Sequence, residues 1–100
     1  MLNSKQRAQL KAMASTADTI VIIGKGGITD NVVQQVKEAL HARELVKGKV
    51  LETALLTAKE ACVELADLCR AEPVQFIGSK FVLYKENKDI DKDKRIKLVK

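Results

Sequence analysis

The sequence predicts an α/β fold, α-β-α-β-α-β-β, with helices packed on a four-stranded mixed sheet. Three observations carry this. The β-branched run Ile20-Val21-Ile22-Ile23 is crowded at χ1 and suits a buried strand better than a helix. It breaks at Gly24, Gly26 and Gly27 around Lys25, and Thr29-Asp30-Asn31 then offers caps for a helix. Near the other end, Val74-Gln75-Phe76-Ile77 and Phe81-Val82-Leu83-Tyr84 flank Gly78-Ser79-Lys80 as an antiparallel hairpin.

The elements follow in order. Asn3 or Ser4 opens the first helix, with Asn3 and Gln6 as a loose capping box. Leu10, Met13 and Ala14 recur at helical spacing and are expected in the core, while Arg7 and Lys11 project together elsewhere. That pair is either a solvated face or a set of phosphate contacts. Residues 15–19 lead into the first strand. After the glycine loop, Val32, Val33, Val36, Ala39 and Leu40 form the apolar stripe of a second helix ending near Ala42 or Arg43. His41 falls close to its end, where a surface or capping role fits. Residues 45–51 alternate as a strand, with Val46, Gly48 and Val50 on one face and Lys47 and Lys49 on the other. The two lysines are equally a solvated face or a contact for an anion. Gly48 reads as a weak spot in the strand interior. Thr57 and Glu60 form the capping box of a third helix. Its buried stripe is Ala58, Ala61, Cys62, Leu65, Leu68 and Cys69, and Ala71-Glu72-Pro73 stops it.

One hundred residues make one domain, and 46% apolar content separates the chain from disordered proteins. The first residues read as a polar helix rather than a secretory leader, and the run 20–23 is too short to span a bilayer. A soluble cytoplasmic protein is expected. The net charge of +5 is uneven: residues 1–50 carry eight Lys/Arg against four Asp/Glu, residues 51–85 four against five, and residues 86–100 six against four. The excess lies in the half that holds the glycine loop and favours a polyanionic partner. Cys62 and Cys69 stand two helical turns apart, beyond disulfide reach, and with one histidine they make no zinc set. No catalytic constellation, metal or cofactor is expected.

Glycines let main chain approach a partner closely, and a helix start supplies free N–H groups. The loop could therefore hold a phosphate, with Lys25 adding charge. The dinucleotide pattern G-x-G-x-x-G fails because Thr29 stands where its third glycine would be, and no Walker loop is present. What remains is G-x-x-G, Gly24 to Gly27, the kind of loop that clamps nucleic-acid backbone in KH modules. Taken alone, it is as readily a tight connection as a phosphate site.

Several stretches together resemble the CRM domain (chloroplast RNA splicing and ribosome maturation), most of all its single-domain bacterial YhbY-type members. They are Ser4-Lys5-Gln6-Arg7-Ala8, Ile22-Ile23-Gly24-Lys25-Gly26-Gly27-Ile28-Thr29, residues 38–47 from Glu38 to Lys47, and residues 76–84 from Phe76 to Tyr84. The resemblance spans roughly residues 2–85. It implies a fold similar to the C-terminal domain of translation initiation factor three. It also implies RNA binding through the Gly24–Gly27 loop and its basic surroundings, and a role with precursors of the large ribosomal subunit. Gly48 departs from the family where a larger apolar residue is expected, and Ser79 where a basic one is common.

The expected function is thus a non-enzymatic RNA-binding protein, acting as a monomer on large-subunit ribosomal RNA or its precursor. Gly24, Lys25, Gly26 and Gly27 would hold phosphate, with Arg7, Lys11, Lys47 and Lys49 widening the field. Phe76, Phe81 and Tyr84 are the only aromatic residues, and core packing can claim them, which favours backbone contacts over base stacking. The alternative is a protein-interaction adaptor within a ribosomal or translation complex, docking through the third helix without touching RNA. Residues 1–85 would form the domain, and the charged residues 86–100 a partly mobile tail from which Ile96, Leu98 and Val99 could fold back.

Overall fold

The structure is a computed structural model that describes residues 2–91 and 95–99. Its elements are α1 (Ser4–Ser15), β1 (Val21–Ile23), α2 (Asp30–Arg43), β2 (Leu45–Val50), α3 (Ala58–Cys69), β3 (Glu72–Ile77) and β4 (Lys80–Tyr84). This is the expected α-β-α-β-α-β-β order. The sheet runs β1-β2-β4-β3, with β1 parallel to β2 and the other neighbours antiparallel. β1 is shorter than the β-branched run, although Ile20 N–H still donates to the Lys47 carbonyl at 3.0 Å.

Local chemistry starts each helix. Asn3 accepts from Gln6 N–H at 2.8 Å and its own N–H donates to the Gln6 side chain at 3.1 Å; Thr57 and Glu60 repeat the pattern at 3.1 and 2.9 Å. Thr29 caps α2 by accepting from Val32 N–H at 3.2 Å. Each device satisfies N–H groups that the first helical turn leaves free.

The sheet has two covered faces. On one, α2 and α3 enclose the larger core: Val21, Ile23, Val46 and Val50, with Phe81 and Leu83 from β4, meet Val36, Leu40, Ala61, Cys62 and Leu65. On the other, Leu10 and Ala14 of α1 pack on Val74, Val82 and Tyr84, and Ile96 and Leu98 of the C-terminal segment lie against the same cluster. β4 is buried on both faces from Phe81 to Tyr84 because it sits inside the sheet with helices above and below.

Gly48 is the main departure from expectation. A Cβ there would stand 2.2 Å from Phe81 Cζ, because the Phe81 ring, paired with Gly48 across the antiparallel ladder, fills the space over it. The glycine is the seat of a fully buried aromatic rather than a gap in the strand. Two expected core residues lie partly outside: Met13 is 39% exposed in the last turn of α1, and Leu68 is 46% exposed. Leu68 rims a crevice between the C-terminal ends of α2 and α3, where neither helix covers it. Ala66, absent from the expected stripe, is buried instead. The hairpin turn is also shorter than expected. Gly78, at φ 58, and Ser79 form it, and Lys80 already belongs to β4. Among the described residues no helix is long and apolar enough to cross a membrane.

Candidate nucleic-acid interface

The glycine loop leaves β1 at one end of the sheet and closes as a turn in which Gly27 N–H donates to the Gly24 carbonyl at 2.9 Å. Gly27, at φ 70, is the one loop residue whose backbone demands glycine; the others have ordinary φ, and a Cβ on Gly24 or Gly26 would meet its nearest neighbour at 3.6 Å. Lys25 and Gly26 form the exposed tip, while Gly24 and Gly27 are half-buried. Among the described residues the N–H groups of Lys25 and Gly26 donate to no protein acceptor. Two free donors beside one lysine suit a phosphate oxygen. The start of α2 suits one less well, because the Thr29 hydroxyl already takes Val32 N–H and Asp30 places a carboxylate in the first turn.

The structure separates the other predicted cations by role. Lys49 is exposed on β2 and paired in register with Ile22 of β1, two residues before the loop. Lys11 lines a shallow groove of about 210 Å³ between the end of α1 and the sheet, together with Ala14, Ser15, Lys47, Gln75, Ile77, Lys80 and Val82. Among the described residues no carboxylate lines it. Lys47 is half-buried, and its Nζ donates to the Ala14 carbonyl at 3.1 Å, capping the C-terminal end of α1 and pinning it to the sheet. Arg7, half-buried one helical turn before Lys11, does not line the groove.

Lys80 is the cation that sequence reasoning missed. Placed in the turn it looks incidental; as the first residue of β4 it pairs with Lys49 on one side and Ile77 on the other. The signal was the alternation Lys80-Phe81-Val82, continuing the strand one residue earlier. His41 stands away from this surface, its ring nitrogen Nδ1 lying 3.2 Å from the Asn87 side-chain nitrogen at the end of α2. Among the described residues no cluster of His, Cys, Asp and Glu could hold a metal. Both cysteines are free and buried, and burial pushes the Cys62 thiol from 9.0 up to about 11.

The model of the CRS1/YhbY (CRM) domain family matches residues 2–85. The chain belongs to this family. This CRM domain is 40% identical over 89 residues to the Bacillus subtilis protein named "Probable RNA-binding protein YqeI", covering 89% of the chain and 93% of that relative. A Haemophilus influenzae protein named "RNA-binding protein" is 31% identical over 88 residues, covering 88% of the chain and 89% of its own length. Among solved structures, the solution structure of a Staphylococcus aureus protein described as "a putative RNA binding protein" superposes with a TM-score of 0.80 at 40% identity. The match covers 99% of this chain and 100% of that one. The expected α/β fold, with helices on a four-stranded mixed sheet, is therefore the fold found.

Proposed function

We propose that this chain is a non-enzymatic, monomeric RNA-binding protein of the cytoplasm that binds ribosomal RNA in large-subunit precursors and assists their assembly. Residues 1–85 form the binding domain in this reading. RNA backbone lies across the Gly24–Gly27 turn, where Lys25 and two free N–H groups take phosphate, and runs on past Lys49 toward Lys11. The observation that carries the reading is the tip itself: exposed, cationic and with free donors, two residues beyond Ile22, whose partner Lys49 pairs in turn with Lys80 of the groove. The relatives' names support RNA as the ligand class. Lys47 and Arg7 contribute field rather than contact, since Lys47 is bound to α1 and Arg7 lies off the groove.

Fluorescence anisotropy with a fragment of large-subunit ribosomal RNA tests this. The log of the affinity should fall with the log of salt at roughly −0.7 per phosphate neutralised. Lys25→Glu should weaken binding at least tenfold while leaving the circular dichroism spectrum unchanged. Salt-insensitive binding, or full affinity in the variant, would contradict it. An adaptor that docks through α3 would instead keep its partner after Lys25→Glu.

A further inference from the structure

The strand register places Ile22, Lys49, Lys80 and Ile77 in one row across β1, β2, β4 and β3. By alternation all four point away from α2 and α3. The next row inward, Lys47, Val82 and Gln75, lies beneath the end of α1, so α1 covers that face only up to there. The outer row is open: Ile22 is 56% and Ile77 66% exposed, and both lysines are exposed. Lys49 and Lys80 face each other directly, an arrangement that costs stability in a bare sheet. Among the described residues neither is paired with a carboxylate.

We propose that this row is a binding site for unpaired RNA, with Lys49 and Lys80 on successive phosphates and Ile22 and Ile77 each covered by a splayed base. The inference rests on the RNA-binding reading above and adds the state of the RNA. The aliphatic pair decides between duplex and single strand. A duplex keeps its bases stacked inside and presents phosphate and sugar, which bury nothing favourable on an isoleucine; a single strand can turn base faces outward. Spacing agrees with a short segment. Three strand separations of about 4.8 Å put Ile22 and Ile77 roughly 14 Å apart, with the two lysines between them. The charge of the two lysines complements the phosphates. The site is continuous with the glycine turn, since Ile22 precedes Gly24 by two residues. The site carries no aromatic residue, so it holds bases without reading their hydrogen-bonding edges, and sequence preference should be weak.

Two probes test it: a mixed-sequence single-stranded RNA of about a dozen nucleotides, and the same sequence as a duplex. The native chain should bind the single strand more tightly. The double variant Ile22→Ser, Ile77→Ser should lose roughly fivefold or more of its single-strand affinity and leave duplex affinity unchanged. Lys80→Gln should lower the salt slope on the single strand by about 0.7. Val63→Ser, which alters an exposed residue of α3 on the opposite face, should change neither probe. Equal binding of both probes by the native chain, or an isoleucine variant that keeps single-strand affinity, overturns this inference and leaves RNA binding through the turn intact. Binding of neither probe overturns both. Melting curves of each variant guard against loss of fold.

Discussion

Gly48 and Phe81 occupy facing positions on β2 and β4, and the aromatic ring takes the volume that any side chain at 48 would need. Phe81 is fully buried between the sheet and α3, so it cannot swing aside. Gly48→Ala should therefore destabilise the protein by about 3 kcal/mol, the upper range for overpacking, read as a lowered urea midpoint at unchanged slope. Combining it with Phe81→Leu should cost less than the sum of the two single changes, because the smaller side chain frees the space the methyl needs. The same two residues show what a lone sequence hides. A glycine in a strand looks like missing packing until the residue across the ladder is known, and register is a tertiary fact.

At the scale of the element, the joint between α2 and β2 holds the C-terminal segment. Glu44 has φ 64 and is 1% exposed, yet it is a carboxylate. Its two oxygens accept from Asn87 N–H and Ile96 N–H, each at 2.8 Å, and its carbonyl accepts from Lys85 N–H at 2.8 Å. One residue thus turns the chain and ties the C-terminal segment to the body. Gln6 and Gln9 hold the same segment through the carbonyls of Val99 and Lys97, at 3.0 and 2.7 Å. Charge-assisted bonds in a buried setting are strong, so Glu44→Ala should cost about 3 kcal/mol. Hydrogen exchange should speed up at the Asn87 and Ile96 amides well before it does in β4. Uniform protection at those amides in the variant would show that the segment is held without the carboxylate.

At the scale of the whole molecule, alkali should weaken the fold through both cores. Burial raises the Cys62 thiol from 9.0 to about 11, and burial followed by the charges of Glu44 and Glu86 raises the Tyr84 hydroxyl from 10.0 to about 12. Both groups ionise at lower pH in the unfolded chain, so the unfolded state sheds protons first as pH rises. The stability they contribute is complete below about pH 9 and declines as pH climbs through about 11 to 12. Urea midpoints measured at pH 8, 10 and 11 should fall in that order; a constant midpoint would show that neither group stays protonated in the folded state.

Much of the architecture was legible along the chain. The capping pairs Asn3–Gln6 and Thr57–Glu60, the β-branched run into β1 and the hairpin near the end each rest on neighbours a few residues apart, and local chemistry decides them. The glycine turn was equally legible, because a glycine needed at positive φ is a local demand that Gly27 meets. Other features depended on which strands lie side by side. Register placed Lys80 opposite Lys49, set Ile22 and Ile77 at the two ends of one row, and filled the space over Gly48 with Phe81. Packing turned Lys47 from a surface cation into the cap of α1, and buried a carboxylate at Glu44 to receive the tail. Sequence by itself determined the elements and their order, since those follow from short-range backbone and side-chain preferences. Tertiary structure alone decided which cations share a surface, because that depends on contacts between residues far apart in the chain.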